Sequence, residues 1–321
     1  MRCEGRSAGS RRSAPLITKK FRMKLIPISR SRWLELLDNL QYFPAFYSPD
    51  WLETYENLKK GYSAGAFEIL CKNAIYLFPY LMSKAFILKF LYSNPLSTYG
   101  GPVLIHGNHD PVCLLKALRT ISRKFLGVLI NFDPFNPVGS EDFPDFKTFS
   151  SFTHVIDLDR GFKFPENFLR GVKKAKKEGV LVVKNEMLDD FLVEIFSRKG
   201  WLDKRIKKFF FGELIARKVG KLYSAVYQDN AIAHIFVVYG KNYAFYHYGI
   251  SKRDFLWLRP NNLLHHTVVM ELGGGIYNLG SSAGLPGVEE FKKRMGAKKV
   301  SVKSIYRGFV PKKPSGSADV V

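Results

Sequence analysis

The chain has 321 residues, 50 Lys+Arg against 28 Asp+Glu for a formal net charge of +22, and a hydrophobic fraction of 46%. That composition excludes a disordered chain, and 15% aromatic residues supply a core for about two domains of 100–200 residues. The charge excess predicts anionic partners: nucleotides, phosphates, RNA or acidic lipid.

Three cysteines, Cys3, Cys71 and Cys113, lie far apart with no CxxC pair. This excludes a cysteine-based zinc finger and argues against a disulfide framework, so a cytoplasmic location is expected. Residues 1–24 carry eight basic residues against Glu4 and no apolar run. They read as a basic disordered extension rather than a secretory signal, with Met23 as an alternative start.

Trp33, Leu36, Leu37 and Leu40 recur at helical spacing within 29–61, and Trp51, Leu52 and Tyr55 mark a second short helix. Phe67 to Tyr92 is the most apolar region, but Lys72, Lys84 and Lys89 break it. Its longest charge-free run falls short of the ~20 residues a spanning helix needs, so no transmembrane segment is expected. It reads as two strands joined at Lys72–Asn73, the second an edge strand or bent at Pro79. A loop hinged at Tyr99, Gly100, Gly101 and Pro102 enters a strand. A helix over Pro111–Phe125, a strand over Gly127–Phe132 and a Pro-rich loop close a first α/β unit, expected over 25–150.

A second unit, expected over 151–310, opens on the strand THVIDL and the basic helix ENFLRGVKKAKKEG, ended by Gly179. VLVVKN reads as a strand, 187–221 as helical with an interruption near Gly200, and 221–251 as a three-stranded meander. A helix over 261–272, the strand IYNLGSS, the helix PGVEEFKKRMG and the strand VSVKSIYRGFV follow, with 311–321 a loose tail. Helices mixed with hairpins predict α/β layers on a mixed sheet.

Arg170, Lys173, Lys174 and Lys177 form one helical stripe. It fits a polyphosphate or RNA backbone, and equally a solvated face above Phe168, Leu169, Val172 and Ala175. Asn261 or Asn262 suits an N-cap; alternatively, the helix's free N–H groups receive a phosphate. Tyr246 and Tyr248 fall on one strand face, where they either flank an acceptor or protonate a leaving group, or simply pack. His106, His109 and Asp110 have no converging Cys or Glu, so no metal site is expected. The glycines at 273–275 lack a following GK(S/T) and are no phosphate loop.

The order of features is more specific than any one of them. FPAFYSPDW, YLFPYLMSK and NPLSTYGGPVL precede RGVKKAKKEGV, the hairpins AVYQDNAIAHIFVVYGKNYAFYHYGIS, RPNNLLHHTVV, IYNLGSS and LPGVEEFKKRMGAK. From Trp33 to Arg307 this order resembles the Fem family of aminoacyltransferases, which extend the peptide of peptidoglycan precursors. It is similar too to their relatives with a BioF2-like acetyltransferase domain, and both groups belong to the GNAT superfamily.

The resemblance implies two GNAT-like subdomains side by side, each a mixed, mostly antiparallel sheet flanked by helices, with a substrate cleft between them. It implies direct transfer of an acyl or aminoacyl group to an amine on an anionic, nucleotide- or lipid-linked acceptor. The donor, acyl-CoA or aminoacyl-tRNA, is then a substrate and not a tightly bound cofactor. The family's Phe-Lys pair falls on Phe291, walling the acyl slot, and Lys292, stabilising the developing charge. Arg170 takes the place of the family's phosphate-facing Arg, with Lys174 and Tyr99 as further substrate contacts. Arg259, Asn261 and Asn262 fall where the donor is held.

Two motifs depart from the family pattern. The W-x-x-x-K of murein-type members reads Trp51 then Tyr55, and the acyl-CoA loop pattern is replaced by Arg259–Asn262. The competing reading is a non-catalytic RNA-binding protein, which explains the charge but lacks aromatic-plus-basic RNP motifs.

Overall fold

Helical spacing and hairpin turns account for most elements of the computed structural model, which describes residues 22–309 except 59, 95–97, 197–203 and 283. Strand β1 (Lys24–Pro27) opens the fold; its ladder to β2 (Tyr62–Leu70) makes Lys24 part of the sheet rather than of an extension. Between them lie α1 (Arg30–Asp38) and α2 (Pro49–Leu58), which bury Trp33, Leu36, Leu37, Trp51, Leu52 and Tyr55. Ser29 caps α1 by accepting from the Arg32 amide. The chain continues through β3 (Ala74–Ala85), β4 (Leu88–Tyr92), β5 (Val103–Gly107), α3 (Pro111–Ser122), β6 (Gly127–Asn131) and β7 (Lys147–Asp157).

Pro79 is not on an edge strand. Along β3, β2 covers one side, while β5 takes Ala74–Leu77 and β4 takes Leu81–Ala85 on the other. Pro79 falls in the gap between those two partners, where β3 is bonded on one side only and a missing N–H is tolerated.

The second half contains α4 (Glu166–Lys177), β8 (Leu181–Lys184), α5 (Leu188–Phe196), α6 (Lys204–Ala216), β9 (Gly220–Tyr227), β10 (Asn230–Gly240) and β11 (Tyr243–Ser251). It ends with α7 (Pro260–Leu272), β12 (Ile276–Asn278), α8 (Pro286–Arg294) and β13 (Lys298–Gly308). The helical reading of 187–221 overran the start of β9; the interruption near Gly200 and the tail over 311–321 lie outside the described residues. Among the described residues, no helix is long and apolar enough to cross a membrane.

One sheet of 13 strands runs β1-β2-β3-β4-β6-β13-β7-β12-β11-β10-β9-β8, with β5 beside β3. Among the named strands of the described residues, β4–β6 and β11–β12 pair in parallel and the rest antiparallel. Each half thus builds an antiparallel meander, then returns a strand in parallel through a crossover holding one helix, α3 or α7. The halves exchange their last strands. β7, which contains residue 150, pairs with β12, while β13 pairs with β6 and closes against β7.

Three apolar clusters flank the sheet. One lies under α1, α2, α5 and α6, a second under α4 and α7, and the third under α3 in the first half. Cys71, just after β2, is disulfide-bonded to Cys113 on α3 across 42 residues of chain. This corrects the expectation drawn from cysteine spacing and removes its argument for a reducing compartment. Linear distance hid the pair, because the β2–β3 turn and the first turn of α3 meet only in the fold.

Candidate active site

Helices α4 and α7 lie close because Gly171 has no side chain: a Cβ there would stand 2.5 Å from Asn262 Nδ2. That amide instead donates to the Phe168 carbonyl at 3.2 Å. Between these helices and α8 opens a cleft of about 390 Å³, lined by Arg170, Lys174, Arg259, Arg294, Asn167, Asn262, Phe168, Gly171 and Phe291. The fold thus gathers Arg170, Lys174, Arg259, Asn262 and Phe291 from three separate stretches of sequence. No acidic side chain among the described residues lines the cleft. Among the described residues, no carboxylate pairs with Arg170, Lys174 or Arg259, whereas Glu290 holds Arg294 at 3.0 Å. Lys174 Nζ sits 5.2 Å over the half-exposed Trp257 ring.

Neither Asn261 nor Asn262 caps α7. The N-cap is Arg259, in the left-handed region at φ 59°, and no side chain accepts from the first turn. Asn261 Oδ1 accepts from Ser251 Oγ at 3.0 Å, and Asn262 is committed to α4. The helix therefore presents its N-terminal dipole to the cleft beside Arg259.

Next to the cleft the sheet divides. β11 and β12 are paired only over Tyr243–Phe245 and Ile276–Asn278. In β11, Tyr246 and Tyr248 face consecutive residues of β10, Val237 and Phe236, so His247 is the extra residue of a β-bulge. The bulge breaks alternation. His247 and Tyr248 turn toward Phe210 and Phe211, while Tyr246 packs 4.9 Å from His265 on the opposite face. The expectation that Tyr246 and Tyr248 share a face is therefore corrected, and only Tyr246 lies on the side of α4 and α7.

Lys292 occupies the last turn of α8 and is 3% exposed. Its Nζ donates to the Gly280 and Ser281 carbonyls at 3.1 and 2.7 Å, so it braces the segment after β12 and does not line the cleft. Burial pushes its ammonium down to about 7, against the charge of Glu289. Its neighbour Phe291 does line the cleft, with its ring 6.4 Å from Phe168 and 5.6 Å from His265. His265 Nδ1 lies 2.7 Å from the Tyr277 hydroxyl. Burial, aided by Lys292, pushes His265 down to about 3, so it stays neutral.

Tyr99 is not in the cleft. It is buried against Phe46 and Phe245, with ring centroids 6.0 and 5.9 Å away, and its hydroxyl faces Thr153 and Asn278. It belongs to the segment that fills the matching parting of the first half. There β4 and β6 pair over Phe90–Tyr92 and Gly127–Leu129, after which Asn94 bonds Trp51 Nε1 and the Phe46 carbonyl, each at 2.9 Å. The first wedge is sealed by its own chain, and the second keeps a cleft beside it. His109 and Asp110 are committed as well: His109 lies 3.0 Å from both Tyr76 and Asp142, and Asp110 caps α3.

Sequence reading missed Arg294, whose i, i+3 spacing from Phe291 was a usable signal. It also missed the placement of His265 beside Tyr246, for which no local signal existed.

No known family pattern and no curated protein matches this sequence. Solved structures do. FemX matches 87% of this chain and 96% of that chain with a TM-score of 0.65 at 12% identity. A tandem GNAT protein from the clavulanic acid biosynthesis pathway covers 90% of this chain and 100% of its own, with a TM-score of 0.53 at 9% identity. L-PGS from Bacillus licheniformis covers 88% and 93%, with a TM-score of 0.52 at 13% identity. The fold is that of the Fem-like, two-subdomain GNAT proteins.

Proposed function

We propose that the protein is an N-acyltransferase that moves an acyl or aminoacyl group from a phosphate-bearing carrier directly to an amine. The observation that carries this reading is the cleft between α4, α7 and α8: four cationic side chains, no acidic one, and an uncapped helix N-terminus. Arg170 and Arg259 bind the carrier's phosphates, which guanidinium groups can grip with two parallel hydrogen bonds. Phe291 and Phe168 wall the path of the acyl chain toward the parted strands.

The reaction itself asks little of the protein. The neutral amine attacks the carbonyl, the carbonyl oxygen takes up negative charge, and the carrier's thiol or hydroxyl leaves as the nitrogen loses its proton. Positive potential near that oxygen lowers the barrier. Lys292 serves as a positioning residue here, holding the Gly280–Ser281 backbone that faces Tyr246 across the wedge. Tyr246, half-buried and packed against the neutral His265, is the nearer of the two tyrosines to proton transfer.

The test is to titrate the purified protein with CoA and with charged tRNA, then follow loss of the acyl group to an added amine. One carrier is expected to bind and to discharge. Arg170→Ala and Arg259→Ala should each weaken its binding about 10- to 100-fold, the worth of one charged hydrogen-bonded contact. Binding of RNA without discharge would return the function to a non-catalytic RNA-binding protein; binding of neither carrier would sink both readings.

A further inference from the structure

A second cleft, of about 190 Å³, lies between the loop leaving α1, strand β5 and the Pro-rich loop after β6. Tyr42, Phe43, Tyr47 and Phe135 form its aromatic walls, and Asp133 lies in it, 3% exposed. The rings are ordered: Tyr42 meets Phe135 edge-on at 6.2 Å and stacks on Tyr243 at 6.5 Å. Asp133 Oδ1 accepts from the Phe135 amide at 3.0 Å. The wall hydroxyls do not serve the carboxylate, because Tyr42 donates to the Phe135 carbonyl and Tyr47 to the Gly100 carbonyl. Among the described residues, no lysine, arginine or histidine lines the cleft.

A carboxylate so deeply buried with no cation beside it is costly, and proteins ordinarily neutralise or pair such a group. Aromatic faces around a carboxylate are the surroundings that favour an organic cation, which the ring quadrupoles and the carboxylate attract together. We propose that this cleft binds a small organic ammonium group, with Asp133 as its counter-ion and Tyr42, Tyr47 and Phe135 as its cage. The site does not depend on the acyl-transfer reading, since it shares no lining residue with the cleft of Arg170. Burial pushes the Asp133 carboxyl up to about 7, against the hydrogen bond from the Phe135 amide, which agrees with a group left without a cationic partner. The other titratable groups that face Asp133, Tyr42, Tyr47, Tyr99 and Tyr243, are pushed up by burial first and by the Asp133 charge, and stay protonated at neutral pH.

The experiment is calorimetric titration with n-butylammonium and, as the neutral isostere, n-butanol. The wild-type protein should bind the ammonium saturably at pH 8 and at least tenfold more weakly at pH 5.5, where Asp133 is protonated. Butanol should bind at least tenfold more weakly at both values. Asp133→Asn should lose the ammonium preference, while Arg170→Ala should keep it. Equal affinity for butanol and butylammonium, or an ammonium affinity unchanged between the two pH values, would overturn the proposal without use of any variant.

Discussion

Lys292 keeps its ammonium in a place that disfavours charge. Its folded value is depressed to about 7 from 10.5 by burial, so between those values the unfolded chain binds the extra proton. Stability must therefore rise with pH through that window and level off below 7, where both states hold the proton. Lys292→Met removes this dependence. Urea denaturation at pH 6 and pH 9 should show the wild type gaining a few kcal/mol relative to the variant at the higher pH. An equal difference at both values would mean that the buried ammonium keeps its ordinary affinity for protons. His265, pushed down by burial to about 3 from 6.5, adds a second dependence at lower pH, because below about 6.5 the unfolded chain takes up a proton that the folded ring refuses and stability falls as the pH drops toward 3.

At the level of elements, the α4–α7 contact and the Cys71–Cys113 bond make separate claims. Gly171→Ala gains about 1 kcal/mol of helix propensity but displaces the Asn262 amide, whose bond to Phe168 is worth about as much. Melting temperature should move by only a few degrees, while affinity for CoA or tRNA falls severalfold, because the first turn of α7 no longer sits against α4. An unchanged affinity would show that this approach of helices does not set the cleft. The disulfide closes a loop of 42 residues, worth about 4 kcal/mol in chain entropy. Cys71→Ser should lower the urea midpoint accordingly, and a reducing agent should reproduce that loss in the wild type but not in the variant.

Across the whole molecule, the exchange of β7 and β13 makes two similar halves one folding unit. β13 pairs with β6 of the first half as well as with β7. A chain ending before Lys298 should therefore not retain a folded first half; hydrogen exchange should show β6 unprotected along with β7. Protection of β6 in that shortened chain would mean that the halves are independent. The net charge of +22 acts at the same scale, and binding of a polyphosphate carrier should weaken steeply with salt.

Much of this was legible in the chain itself. Apolar spacing marked α1, α2 and α4, the closing glycines marked α7, turn residues marked the β2–β3 and β9–β11 hairpins, and the basic stripe on α4 singled out Arg170 and Lys174. These are properties of neighbours within a turn or a strand, where local geometry fixes which residues meet. Only the tertiary structure decided that Cys71 reaches Cys113, that a bulge at His247 sends Tyr246 and Tyr248 to opposite faces, and that Lys292 turns inward to the Gly280 and Ser281 carbonyls. Each depends on strands and helices far apart along the chain coming together, and no period in a sequence carries that information. The same holds for Asp133, whose aromatic surroundings come from the loop after α1 and the loop after β6 and exist only once β5 lies between them.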